Sequence, residues 1–181
     1  MGILPKIKLF TDGACVPNPG PGGYASILKT TLPSGEYDKE LAGGYRLTTN
    51  SRMELMAVVV GLDAIKSPSE VEVFSDNRYV VDGVAKGWAE KWRAHGWRIS
   101  ESGKPGKGPL AKNRDLWERL LRLCERHTVT FRWIKGHSGH PENERCDGLA
   151  KSWARGPNLP EDVGYSGLSS TMEPMPPEFH S

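Results

Sequence analysis

The sequence predicts an α/β fold: a five-stranded mixed sheet, three strands antiparallel and two parallel, flanked by helices. Three observations point there. Residues 6–12 alternate as a strand and turn-forming stretches then separate two further strands, apolar residues next recur at helical spacing, and afterwards strand-like and helix-like stretches take turns. A strand, helix, strand order favours right-handed crossovers, so a strand at 71–75 is expected to lie parallel to the first strand at 6–12.

Residues 6–12 place Ile7, Leu9 and Thr11 on one side and Lys8, Phe10 and Asp12 on the other, and Asp12-Gly13 is expected to end the strand. The VPNPGPGG stretch at 16–23 turns the chain, 24–31 returns, and Pro33-Ser34-Gly35 turns it again into a third strand at 36–47. From 51 to 65, Met53, Met56, Ala57, Val60 and Ala64, with Leu55, Val59 and Leu62, cover most of a helix circumference, which predicts a central, buried helix. Ser67-Pro68-Ser69 stops it, and VEVFS at 71–75 is the fourth strand. Asp76 stands where that strand gives way to a helix at 78–84, which Gly87 breaks. Trp88 and Trp92, four apart, share one face of a further helical stretch. A loop rich in Gly, Pro and Lys leads to an amphipathic helix at 115–126, a strand at 128–134, a loop at 136–141 and a last helix at 142–154.

At 181 residues the chain suits one domain with one sizeable core. No apolar run reaches the roughly 18 residues a membrane helix needs, and the N-terminus lacks a signal-peptide pattern, so a soluble, cytoplasmic monomer is expected. Three cysteines without a C-x-x-C pair argue against a disulfide framework and a thiolate zinc site. Cys15 paired with His137 as nucleophile and base is weighed against the commoner role of a small buried side chain.

Charge is segregated. Residues 86–114 carry eight Lys and Arg against Glu90 and Glu101, whereas beyond Gly156 there are four carboxylates and no Lys or Arg. The tail at 156–181, with five prolines and few apolar residues, is expected to be flexible, either folding against the body or competing weakly with nucleic acid.

Four carboxylates are candidates for chemistry, and each has a plain structural alternative. Asp12 before Gly13 suits a turn, Ser51-x-x-Glu54 matches a helix capping box, Asp76 suits an N-cap, and Asp147 within a helix suits a solvated face. His137 suits an incidental loop residue. The topology changes the balance. Asp12 and Asp76 would finish neighbouring parallel strands at the same edge, where α/β sheets bind ligands, with Glu54 and Asp147 on the first turns of flanking helices. Clustered carboxylates repel unless cations hold them, and oxygen-only ligation favours Mg2+ or Mn2+ over zinc. A pair of such ions suits hydrolysis of a phosphodiester.

TDGAC at 11–15, TTNSRMEL at 48–55, SDNRYV at 75–80 and WIKGHSGHPENERCD at 133–147 together resemble the bacterial type I ribonuclease H family, over about residues 5–155. The resemblance implies a ribonuclease H-like fold and an endonuclease that cuts the RNA strand of RNA–DNA hybrids, leaving 5'-phosphate and 3'-hydroxyl ends. It implies that Asp12, Glu54, Asp76 and Asp147 bind two Mg2+ ions, Asp12 bridging both, with Mn2+ a possible substitute, and that His137 moves protons or assists product release. It places Cys15, Asn18 and Asn50 along the RNA strand near its 2'-hydroxyls, and Thr49 and Asn113 at a phosphate of the DNA strand. The basic segment at 86–114, with Trp88, Lys91 and Trp92, matches the family's substrate-binding protrusion, although its tryptophans also suit core anchors. Two features depart from the pattern: Gly87 is an added residue before Trp88, and Arg78 adds a cation beside Asp76. The rivals are a DNA-directed nuclease on the same fold and a nucleic-acid-binding module without activity. No obligate protein partner is inferred.

Overall fold

A computed structural model of the chain describes residues 2–169. The sheet has five strands in the order β3-β2-β1-β4-β5, from β1 (Lys6–Cys15), β2 (Gly20–Leu32), β3 (Gly35–Thr48), β4 (Glu70–Ser75) and β5 (Thr128–Trp133). The first three form an antiparallel meander, and β4 runs parallel to both β1 and β5, as the crossover argument requires. The helices are α1 (Asn50–Asp63), α2 (Arg78–Ala85), α3 (Trp88–Ala94), α4 (Arg114–Arg126), α5 (Pro141–Ala154) and α6 (Val163–Ser169).

Alternation along β1 divides its side chains between two cores. Leu9 joins Met53, Leu55, Val59 and Leu62 of α1, Val71 and Val73 of β4, and Leu116, Trp117 and Leu120 of α4. Phe10 and Ala14 join Ala25 and Ile27 of β2 under Cys146 and Ala150 of α5. Helices thus cover both sides of the sheet, and burial of each large apolar side chain contributes about 1.5–3 kcal/mol. The tryptophans of the protrusion divide between the two readings: Trp92 packs edge-on against Trp117 at 5.9 Å, while Trp88 is 38% exposed beneath Lys86.

Two local expectations are corrected. β1 does not end at Asp12-Gly13 but runs on to Cys15 against β2. A side chain at Gly13 would collide with the backbone of Met53 and Glu54, so this glycine permits the close approach of α1 and does not make a turn. Nor does the Ser51–Glu54 capping box form. Thr49 is the N-cap of α1, its Oγ1 accepting from Arg52 N at 3.4 Å.

As far as residue 169 the tail takes the first of the two expected courses and folds against the body. Arg46 N donates to Pro160 O at 2.9 Å, and Asp162 is 3% exposed, accepting from Thr48 Oγ1 at 2.7 Å. Arg52, 1% exposed, donates to Asp162 through Nε and Nη2 at 2.8 and 3.0 Å, and to Asp115 through Nη1 and Nη2 at 2.9 and 2.7 Å. One guanidinium therefore ties the segment after α5 to the first turns of α1 and α4. A buried cation holds whatever satisfies its donors, which a composition of prolines and few apolar residues does not disclose. The rest of the expected flexible tail lies outside the described residues.

Removing one of the two carboxylates leaves Arg52 buried and half satisfied. Asp162→Ala is expected to lower the unfolding free energy by about 2–4 kcal/mol in urea titrations. A loss below about 1 kcal/mol would mean that Asp115 alone satisfies the guanidinium.

Candidate active site

The parallel pairing of β1 with β4 stops at Phe10 and Phe74, and the carboxylates gather just beyond. Asp12 lies on β1 past the last paired residue, and Asp76 follows directly on β4. Asn77 caps α2, its Oδ1 accepting from Val80 N at 3.3 Å, which leaves the Asp76 carboxylate out of the cap that sequence allowed it. Glu54 comes from α1 across the gap left by Gly13, two residues deeper in the helix than expected.

One carboxylate oxygen each from Asp12, Glu54 and Asp76 lies within 4.8 Å of the other two. Asp12 and Glu54 are buried, and Glu54 Oε2 has no hydrogen-bond partner. Asp12 Oδ1 accepts from Gly13 N at 2.9 Å, and Asp76 Oδ2 accepts from Asn143 Nδ2 at 3.4 Å. Burial, then the charge of Asp76, pushes the Asp12 carboxyl up to about 7, against a lowering by Gly13 N–H and a further rise from Asp147. Burial and the charges of Asp12 and Asp76 push Glu54 well above its usual range. Such a set holds either extra protons or cations. Its donors are all oxygens, and the orphaned Glu54 oxygen is what a hard divalent cation would satisfy.

Asp147 is not in this set. It sits in the second turn of α5, its Oδ2 accepting from Lys151 Nζ at 2.8 Å, close enough for its charge to act on Asp12. His137 is exposed in the loop between β5 and α5, with φ 51°, and follows Gly136. A side chain at Gly136 would strike Asp76 Oδ2, so its absence lets this loop lie against the cluster.

The expected substrate contacts fall into three groups. Asn18 Oδ1 accepts from Asn50 N at 3.1 Å, which joins those two residues at the start of α1. Thr49 caps the same helix, and Asn113, at φ 58°, reaches it through a 3.3 Å bond from Nδ2 to Ser51 Oγ. Lys91 and Trp88 are exposed on α3, beyond α2. Cys15 differs: its thiol is turned inward toward Pro17 O, Gly20 O and Thr48 O at 3.3, 3.4 and 3.5 Å. Burial raises the Cys15 pKa, the reverse of what a nucleophilic thiol needs.

The family model for RNase H matches residues 5–155. The chain belongs to the ribonuclease H family. The Ribonuclease H of Desulforamulus reducens is 54% identical over 160 residues, covering 88% of this chain and 94% of that one. The Ribonuclease HI of Synechocystis is 47% identical over 158 residues, covering 87% and 93%. Among solved structures, LC9-RNase H1, a type 1 RNase H with the type 2 active-site motif, superposes with a TM-score of 0.75 at 28% identity, covering 95% of this chain and 84% of that one. Membership makes the chain an endoribonuclease of bacterial type I.

Within this ribonuclease H, Gly136, Asn77 and Asn143 support the carboxylates and were not singled out from sequence, although each lies in or beside a recognised motif. Their signal was one of spacing around Asp76 and His137, which only the closeness of the β5–α5 loop turns into contact.

Asp12, whose pKa rises from 3.8 to about 7 on folding, keeps a proton that the unfolded chain has released, so the metal-free protein loses stability as pH climbs from about 4 to about 7. Asp12→Asn is therefore expected to raise the melting temperature in EDTA, more at about pH 8 than at about pH 5. Equal shifts at both would contradict this. In the native protein, Mg2+ affinity measured by calorimetry should rise as pH climbs from about 5 through about 7, as Asp12 gives up its proton.

Proposed function

We propose that this ribonuclease H cuts the RNA strand of RNA–DNA hybrids, with Asp12, Glu54, Asp76 and Asp147 holding two divalent cations, Mg2+ or in its place Mn2+. The reading rests above all on three carboxylates converging with one buried oxygen of Glu54 left without a partner. When bound, the ions supply an activated water and charge at the leaving oxygen. The residues do the rest. Asp12, Glu54 and Asp76 are fixed by strand, helix and strand end, so their oxygens need little reorganisation to receive cations. Asp147 would join by exchanging Lys151 for a cation, a rotation of a side chain that is 22% exposed. His137, exposed beside Gly136, carries a proton to or from solvent and eases release of the cut end.

Asn18 and Asn50, joined at the head of α1, face the RNA strand and read its 2'-hydroxyls; the Cys15 thiol acts from beneath by holding the Pro17–Gly20 turn. Thr49 and Asn113 grip a phosphate of the DNA strand, while Trp88, Lys91 and the exposed part of Trp92 extend the grip along the protrusion. The products carry 5'-phosphate and 3'-hydroxyl ends. The enzyme works as a cytoplasmic monomer, a reading compatible with the lack of any membrane-crossing helix among the described residues.

With Mg2+, the native protein is expected to cut labelled hybrid and to spare duplex DNA and duplex RNA. Asp12→Asn should bind hybrid yet cut it at least ~10³-fold more slowly, about 4 kcal/mol of barrier. Full turnover in excess chelator, or equal cutting of duplex DNA, would contradict the reading.

A further inference from the structure

Arg78 is the cation that the sequence pattern leaves unassigned, and its surroundings are built. It is the first residue of α2, two places after Asp76. Its guanidinium carbon lies 3.9 Å from the centroid of the Trp133 ring at the end of β5. Trp133 is in turn anchored, its Nε1 donating to Asp76 O at 2.9 Å, while 40% of its surface stays exposed. The stack therefore joins α2 to β5 across the residue that carries one of the clustered carboxylates.

We propose that Arg78 is a phosphate contact on the strand being cut, held ready by Trp133 at a phosphate adjoining the scissile one. Among the described residues no carboxylate lies within ion-pair distance of Arg78, and no protein acceptor takes its N–H groups. Stacking occupies the flat face of a guanidinium and leaves its edge donors free, in the fork that matches two phosphate oxygens. The ring also restricts a side chain that would otherwise have many rotamers, so less freedom is lost when a ligand is gripped.

Charge complementarity favours the same occupant. The mouth of the site is acidic through Asp12, Glu54, Asp76 and Asp147, and a polyanion approaching it needs a cation close by. Asn18 and Asn50 on one flank are neutral, and Lys151 is engaged by Asp147. The cations of the protrusion begin beyond the far end of α2. Among the described residues Lys135, exposed just before Gly136, is a second cation near Asp76 without an ion pair, but Arg78 is the one that an aromatic ring holds in place.

This inference rests on the functional reading above, and one experiment separates the two. Fluorescence anisotropy with labelled hybrid, in the Asp12→Asn protein at fixed Mg2+, measures affinity across a range of KCl concentrations. Adding Arg78→Gln is expected to weaken binding about five- to tenfold near ~0.1 M salt and to reduce the slope of log affinity against log salt by about 0.7–0.9, the signature of one lost phosphate contact. Arg78→Lys should keep the slope but recover only part of the affinity, because an ammonium neither stacks flat nor forks. Trp133→Leu should weaken binding with the charge still in place. A purely structural Arg78 would leave the slope untouched. An unchanged slope in Arg78→Gln, or Arg78→Lys behaving like Arg78→Gln, would overturn the assignment alone. Failure of the Asp12→Asn parent to prefer hybrid over duplex DNA would overturn the functional reading and the assignment with it.

Discussion

The repulsion among Asp12, Glu54 and Asp76 is the constraint on which the rest of the structure depends. Carboxyls within 4.8 Å of one another, two of them buried, stay together because the surrounding frame is stiff and, without cations, because burial and mutual repulsion make them retain protons. That frame is the parallel part of the sheet with α1 packed across it, and Gly13 sets how near the helix comes. The energy held in this arrangement appears as raised carboxyl pKa values in the metal-free protein, and a divalent cation would release it. Function and instability are in this sense the same feature, offset by the two apolar cores on either side of the sheet.

A second electrostatic centre works in the opposite way. Arg52 follows the residues that cap and open α1 and precedes Glu54 by two positions, and its guanidinium is fully enclosed by Asp115 and Asp162. It fixes the first turn of α1 from behind, so Thr49, Asn50 and Ser51 are presented on a rigid edge. The segment after α5, beyond the part matched by the family model, thereby belongs to the fold and not merely to its periphery.

Much of this was legible in the sequence, because period and punctuation are local properties. Alternation in β1, the helical spacing through α1 and the breaker residues between elements are written residue by residue, and the crossover rule supplied the parallel pairing of β4. The three converging carboxylates followed from topology plus motif, and the structure brings them together, while Asp147 is turned to Lys151. What escaped were properties of pairs. Asp12-Gly13 reads as a turn because a missing side chain looks the same whether it frees the backbone or admits a neighbouring helix. Arg52 and Asp162, 110 positions apart, carry no mutual signal, and a buried arginine runs against the usual preference of that residue for the surface. Trp88 and Trp92 share a helical face, yet only contact with Trp117 decides which of them becomes an anchor.

The central claim is that acidic oxygens from separate elements form one receptacle for a pair of divalent cations. Anomalous scattering from crystals soaked in Mn2+ tests it most directly. The account predicts two manganese peaks about 3.5–4 Å apart, in contact with Asp12, Glu54 and Asp76, with Asp147 turned from Lys151 toward them. Saturating Mn2+ that leaves the carboxylates without a peak, or that binds only elsewhere on the surface, would contradict it.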